Sequence, residues 1–289
     1  MAVKDYIRQR FLPHMWCAGC GHGIVMGNMI RAIEQLGLPK NEIVVVSGIG
    51  CSSRMPGYLD FHTMHTIHGR ALAFAMGVKM GRPGLRVIVP MGDGDALSIG
   101  GNHLIHAARR NVDMTAIIMN NSIYGMTGGQ VSPMTPAGKR SSTARHGSFS
   151  KPFDAVALAR GAGATFVART TTYHAKEMID IISQGISHKG FSVIEIMSQC
   201  PTYYGRKNKI GGAVEMMQSY RDGTVKVGSK KAKEDPSLVE RGIFVKEDSP
   251  EYVAGYLAFM ETLQAGKKEE AQKSEPTGDH PDLVKQLRG

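Results

Sequence analysis

The chain has 289 residues, 42% of them hydrophobic and 21% charged, and 35 Lys+Arg against 25 Asp+Glu give a formal charge of +10. That apolar content supports one large domain or two small ones and argues against intrinsic disorder, which needs few apolar residues and a high net charge. No apolar run approaches the roughly 20 residues that a bilayer-spanning helix needs, and the N-terminal MAVKDYIRQRFLPHMW lacks an apolar export core. The expectation is a soluble, cytoplasmic protein with no membrane contact.

In chain order, helix-compatible and strand-like stretches alternate. Residues 22–37 read as a helix, IVVVSG (43–48) as a strand, 68–81 as a helix and RVIVPM (86–91) as a strand. A helix over 97–110 and a strand over MTAIIMNN (114–121) follow, then a long Gly-, Ser-, Thr- and Pro-rich stretch over 127–153. Connections of that length are usually functional, and a loop covering a ligand is the reading. The rhythm resumes with a helix at 154–161, TFVART (165–170), a helix at 173–190 and SVIEIM (192–197). Strands that are apolar throughout suit a parallel sheet covered by helices on both faces. The fold class expected is α/β, with an open, mostly parallel sheet. Residues 1–200 are expected to form its domain, with 201–289 a partly irregular C-terminal extension ending in a polar tail.

The charge is uneven. Residues 1–221 carry 24 basic and 12 acidic side chains, while 222–289 carry 11 and 13. A basic body attracts anionic cofactors or acidic proteins as readily as nucleic acid. One Trp, no basic–aromatic interleaving and no zinc-finger or RNA-recognition signature argue against nucleic acid.

GDGDALSIGGNH (92–103) follows a strand directly and opens a helical pattern. Gly92 and Gly94 permit close backbone approach, and N–H groups at a helix start attract a diphosphate. Asp93 would repel that diphosphate unless a hard cation lay between them, and Mg²⁺ takes carboxylate oxygens together with phosphates. The next strand ends in Asn120-Asn121-Ser122-Ile123, which offers an amide oxygen and a backbone carbonyl to the same cation. GDG alone is a common turn; GDG at one strand end and NN at the next is far more specific.

The four cysteines are Cys17 and Cys20 in a C-x₂-C, then Cys51 and Cys200. Dispersed disulfides are disfavoured in a reducing compartment. Four thiolates with one close pair suit a 4Fe–4S cluster or a structural zinc, and a redox dithiol at Cys17/Cys20 or unligated thiols stay open. His62, His65 and His68 lie three residues apart, without a neighbouring metal motif, so hydrogen bonding to a diphosphate or substrate is the better reading. His103 and His106 read as packing or surface residues, and the 18 scattered Met as core filling.

The GDG…NN pair resembles the signature of thiamine diphosphate enzymes, and the likeness extends further. WCAGCGHG (16–23), SGIGCSSR (47–54), HTIHGRA (65–71), GDGDALSIGGNH (92–103), NNSIYGMTGGQ (120–130) and CPTYYGRKNK (200–209) resemble, in order, motifs of the β subunit of the 2-oxoacid:ferredoxin oxidoreductases. The resemblance implies the thiamine diphosphate-binding fold, with Mg²⁺ held by Asp93, Asn121 and the Ile123 carbonyl. It implies that Gly94, Asp95, Gly125 and Met126 line the diphosphate, that Ile49, Gly50, Cys51 and Ser52 contact the cofactor, and that His65 and His68 serve cofactor and catalysis. It further implies one 4Fe–4S cluster on Cys17, Cys20, Cys51 and Cys200.

The implied reaction is oxidative decarboxylation of a 2-oxoacid with coenzyme A to acyl-CoA and CO₂, electrons passing through the cluster to ferredoxin, and it is reversible in principle. CPTYYGRKNK resembles the 2-oxoglutarate-using members more than the pyruvate-using ones, with Arg206 the candidate for an anionic substrate tail. Gly128 stands where some members carry a Lys that meets coenzyme A, which leaves that contact unassigned. No Glu here sits in a motif suited to activating the aminopyrimidine ring, and Glu195 lies in an apolar strand. The resemblance therefore implies an α subunit carrying that Glu, in an αβ or (αβ)₂ assembly. The competing readings are a pyruvate or branched-chain 2-oxoacid substrate, a non-redox thiamine diphosphate decarboxylase, and a zinc-stabilised nucleotide-binding module that is not an enzyme.

Overall fold

The computed structural model describes residues 3–274. After two short 3₁₀ turns, helix α1 (Gly21–Gln35) leads into strand β1 (Ile43–Ser47), and a turn of helix α2 (Met55–Tyr58) into β2 (His62–His65). Helix α3 (Ala71–Gly81), β3 (Arg86–Gly92), α4 (Gly101–Arg110) and β4 (Met114–Asn120) follow. A small hairpin, β5 (Ile123–Tyr124) with β6 (Gln130–Val131), precedes α5 (Ala155–Gly161), β7 (Phe166–Thr171), α6 (Ala175–Ser187) and β8 (Phe191–Met197). Helices α7 (Arg206–Asn208) and α8 (Ala213–Asp222), strand β9 (Thr224–Lys226), α9 (Lys230–Glu234), strand β10 (Val239–Lys246) and α10 (Tyr252–Ser274) complete the described chain. No helix among the described residues is long and apolar enough to cross a membrane.

Eight strands form one sheet in the order β2-β1-β3-β4-β8-β7-β10-β9, parallel throughout except where β10 runs against β7. The strands are apolar throughout because both faces are buried. In β4, Met114, Ala116 and Ile118 join the core under α3, α4 and α5, while Ile117 and Met119 join the core under α1 and α6. The same alternation divides Val44 and Val46 from Ile43 and Val45 in β1, as the two-residue side-chain period of a strand requires.

The five expected strands all form, within a residue or so of their expected bounds. The helix expected over 97–110 is interrupted: Asp95–Ile99 winds as a π-type turn and α4 starts only at Gly101. A Cβ on Gly100 would lie 2.2 Å from the Asp95 carbonyl, so the tight turn admits only glycine there. Beyond residue 200 the chain is not a separate appendage, because β10 and β9 extend the same sheet past β7. Their half-polar pattern, VERGIFVK in β10, hides them from a search for apolar runs.

The stretch over 127–153 is anchored rather than loose. After the β5–β6 hairpin it has little regular structure, yet Ser132, Met134, Thr135, Ser141 and Ser148 are all buried. Strand order reverses at β1, which has β2 on one side and β3 on the other. Open α/β sheets bind ligands in the crevice at the carboxyl ends of strands flanking such a switch point.

Away from that crevice, Lys79 of α3 is buried, with Nζ 2.8 Å from Asp113 Oδ2 and 2.9 Å from the Leu85 carbonyl. Removing one partner of a buried pair strands the other charge. Lys79→Ala should destabilise the chain by about 3 kcal/mol, measured as a lowered midpoint of denaturation, and Lys79→Arg should recover part of the loss.

Candidate active site

The loops that leave β1, β3 and β4 surround a cavity of about 520 Å³. Its wall takes Ile49, Gly50, Cys51 and Ser52 from the first loop, Gly92 to Asp95 from the second, and Asn121, Ile123 and Tyr124 to Thr127 from the third. His22, His68 and Gln130 complete it. Three motifs far apart in sequence thus meet because their strands are neighbours in the sheet.

Asp93 is 2% exposed, and its Oδ2 accepts a hydrogen bond from Ser132 Oγ at 2.5 Å. Burial lifts its carboxyl to about 7, against the pull of Ser132 and of the backbone N–H groups of Asp93, Gly94 and Asn121. Asn121 Oδ1 accepts from the Ile123 N–H at 3.2 Å, which closes the turn after β4 with the Ile123 side chain buried. Ser122 sits at φ +59° between them.

Asp95, expected at the diphosphate, lines the cavity and ties together the segments around it. Its Oδ1 accepts from the Gly69 N–H at 2.6 Å and lies 2.8 Å from His68 Nδ1. The Ile49 N–H approaches the same oxygen at 3.5 Å, so one carboxylate ties the loop after β1 to the segment before α3. Burial raises its pKa against those donors. Ser52 Oγ and Asp95 Oδ2 are buried without any hydrogen-bond partner. Unpartnered polar atoms at a cavity wall fit a diphosphate and its hydrated cation, which would satisfy them. The close backbone at Gly94 fits too: a Cβ there would lie 2.2 Å from the Tyr124 ring, whose hydroxyl donates to the Gly94 carbonyl at 3.2 Å.

The histidines separate. His68 lines the cavity, whereas His65 does not: it is exposed at the end of β2, with Nδ1 3.1 Å from Ser47 Oγ. Arg206 likewise misses the cavity, standing exposed on α7. His68 reaches the site three residues on from His65, but the end of an edge strand carries His65 away from it, and a surface turn carries Arg206 away. Glu195 is buried between Arg169 Nε at 2.7 Å and Asn120 Nδ2 at 2.8 Å, a structural role, and no Glu lines the cavity. Sequence reasoning passed over His22, Tyr124, Thr127 and Gln130 as cavity residues. His22 and Tyr124 lie inside the CGHG and NNSIYG motifs, which is the signal that could have found them.

The four cysteines gather beside the same wall, and none is in a disulfide. A Cβ on Gly125 would lie 3.5 Å from Cys51 Sγ and 3.9 Å from Cys200 Sγ. The Gly21 N–H donates to the Gln199 carbonyl at 3.1 Å and joins the segment of Cys20 to that of Cys200. Trp16 Nε1 donates to the Cys51 carbonyl at 2.7 Å. Burial pushes the Cys20 thiol up to about 12 and Cys51 to about 11, and the neighbouring cysteines push both in the same direction. Four thiols drawn to one place without a disulfide are a donor set that a cation could hold as thiolates. Among the described residues, no group of three or more His, Cys, Asp or Glu side chains is arranged to hold a single metal ion.

Residues 47–196 match the family described as thiamine pyrophosphate enzyme, C-terminal TPP binding domain, and fold and cavity together define a thiamine diphosphate enzyme. The chain is 51% identical, over 84% of each chain, to the 2-oxoglutarate synthase subunit KorB of Methanothermobacter thermautotrophicus. It is 44% identical to the 2-oxoacid:ferredoxin oxidoreductase subunit beta of Saccharolobus solfataricus, over 65% of this chain and 62% of that one. A solved structure of the 2-oxoglutarate:ferredoxin oxidoreductase from Magnetococcus marinus, with 2-oxoglutarate, coenzyme A and succinyl-CoA bound, superposes with a TM-score of 0.83 at 32% identity. That match covers 100% of this chain and 96% of the other. The protein belongs to the β subunits of the 2-oxoacid:ferredoxin oxidoreductases.

The crowding at Gly94 gives a direct test. Gly94→Ala should weaken thiamine diphosphate binding at least about tenfold, since forcing a methyl into a filled site costs about 1–3 kcal/mol, and equilibrium dialysis of the assembled enzyme checks it.

Proposed function

We propose that this chain is the thiamine diphosphate-carrying subunit of an enzyme that oxidises 2-oxoglutarate with coenzyme A to succinyl-CoA and CO₂ and passes the electrons to ferredoxin. The observation that carries the reading is the wall at Gly125 and Cys51: both line the cofactor cavity, and a Cβ on Gly125 would lie 3.5 Å from Cys51 Sγ and 3.9 Å from Cys200 Sγ. A cofactor that gains electrons and a group that removes them are thereby neighbours. The substrate follows from the relatives at about half identity, which are named for 2-oxoglutarate.

In this reading Asp93, Asn121 and the Ile123 carbonyl hold Mg²⁺, and the backbone of Gly94 and Gly125 with the Ser52 hydroxyl meets the diphosphate. When bound, thiamine diphosphate supplies the electron sink for breaking the bond between the carboxyl and keto carbons of a 2-oxoacid. The residues do the rest. Asp95 fixes His68 and the Ile49–Ser52 loop at the cavity mouth, and Tyr124 and Met126 narrow it against water. Burial holds His22 at about 4, so it faces the cavity as a neutral imidazole that carries no charge toward the substrate. Cys17, Cys20, Cys51 and Cys200 hold a 4Fe–4S cluster. Among the described residues no Glu lines the cavity, so the Glu that activates the aminopyrimidine ring comes from an α subunit and the working unit is αβ or (αβ)₂.

Ferredoxin docks on a basic rim beside the thiols. Asn208 accepts from the Arg140 N–H at 2.7 Å and donates to the Arg140 carbonyl at 3.0 Å, which locks two loops together. Those loops carry Lys139, Arg140, Arg145, Arg206, Lys207 and Lys209, and none of these six is in an ion pair among the described residues. In this reading Arg206 serves docking rather than the substrate tail.

A zinc-stabilised module explains the thiols but leaves the thiamine cavity idle, and a non-redox decarboxylase leaves the thiols idle. Colour separates them. Purified without oxygen alongside its α subunit, the protein should absorb broadly near 400 nm and carry about four irons per chain. Cys51→Ser should lose both while keeping thiamine diphosphate, and the chain without its partner should turn over no 2-oxoacid; colourless, iron-free protein overturns the reading. The basic rim makes a second expectation: the rate with ferredoxin should fall at least about tenfold between 0.05 and 0.5 M salt, measured by stopped-flow, while the rate with a small uncharged acceptor stays flat.

A further inference from the structure

The proposed cation ligands come from two separate loops. Asp93 directly follows β3, and Asn121 with the Ile123 carbonyl follows β4. Ladder hydrogen bonding between the two strands stops at Gly92 and Met119, and beyond it the Asn121 N–H meets the Asp93 carboxylate directly.

A third segment bridges them. Ser132 Oγ donates to Asp93 Oδ2 at 2.5 Å and accepts from the Met134 N–H at 3.2 Å. The Ser132 N–H donates to Thr135 Oγ1 at 2.8 Å, and Thr135 Oγ1 donates to the Ser122 carbonyl at 2.7 Å. Each hydroxyl has a single proton, and each proton is committed: one to the carboxylate, one to the backbone next to Asn121. Four residues, Ser132-Pro133-Met134-Thr135, thus form a brace from the β3 loop to the β4 loop. Asp93, Ser132 and Thr135 are all at most 5% exposed, so water does not compete for these bonds.

We propose that Ser132 and Thr135 are positioning residues for the divalent cation. The brace sets the orientation of the Asp93 carboxylate and its separation from Asn121 and the Ile123 carbonyl, and so couples the loop over 127–153 to cofactor binding. The inference rests on the assignment of the cation to Asp93, Asn121 and Ile123. The coupling is reciprocal: a loop conformation that favours the bound cation is held in turn by the cation with its diphosphate.

The test uses the assembled enzyme, freed of thiamine diphosphate and divalent cation, and calorimetric titration with Mg²⁺ and thiamine diphosphate. Ser132→Ala and Thr135→Val should each raise the dissociation constant about tenfold, as loss of one buried hydrogen bond predicts. Thr135→Ser, which keeps the hydroxyl, should bind as the unmodified enzyme does, and so should Ser150→Ala, an exposed change in the same loop. Hydrogen exchange over 132–148 should slow on cofactor binding in the unmodified enzyme and not in Ser132→Ala. Unaltered affinity in Ser132→Ala and Thr135→Val, with only a lower denaturation temperature, overturns the proposal by making the brace purely structural. If Ser132→Ala does not assemble, the Thr135→Val and Thr135→Ser pair decides: weaker binding by Val alone supports the brace, and equal binding overturns it. Unmodified enzyme that takes up no thiamine diphosphate removes the site assignment and the brace together, whereas uptake with unaltered variants removes the brace alone.

Discussion

A carboxylate buried at the end of an apolar strand is the constraint around which the site is built. Asp93 follows RVIVPMG, a strand packed on both faces, and has little contact with water. An isolated charge in that position is costly, and the protein offsets it with directed donors: the Ser132 hydroxyl and backbone N–H groups on either side of the cavity. Those donors bring the 127–153 loop down onto the end of β3. The cavity, its polar floor and its cover are therefore aspects of one solvation problem.

The sheet explains why the remaining parts converge. Loops leaving β1, β3 and β4 emerge side by side because those strands are neighbours, although Ile49 and Thr127 lie 78 positions apart. Glycines at the contact points let main chain take the place of side chain, as at Gly94 under the Tyr124 ring and at Gly125 beside two thiols. The Arg169–Glu195–Asn120 chain lies beneath the turn after β4, and the Asn120 Oδ1 accepts from the Ser122 N–H at 3.0 Å. Buried polar groups here are paired in series, and a series of that kind holds a turn more firmly than isolated contacts.

What could be read from the sequence follows the range of the forces involved. Strands β1, β3, β4, β7 and β8 are visible because burial on both faces writes a continuous Val/Ile run. The edge strand β2, HTMH, is mostly exposed and carries no such run, and β10 is half polar because it pairs near the other edge. The GDG and NN turns are legible because their chemistry is local to three or four residues. Ser132 is not, since nothing around VSPMT announces a partner 39 positions upstream. His65 and Arg206 show the converse: a residue next to functional motifs need not face the site when strand geometry or a surface turn points it elsewhere.

The sheet order also separates two regions within one chain. The catalytic crevice occupies one half of the sheet, at β1, β3 and β4, while β10 and β9 lie at the opposite edge with β8 and β7 between. Two fully packed strands stand between that far edge and the crevice. Polar surface and length at the far edge are therefore built on strands other than those whose ends line the crevice.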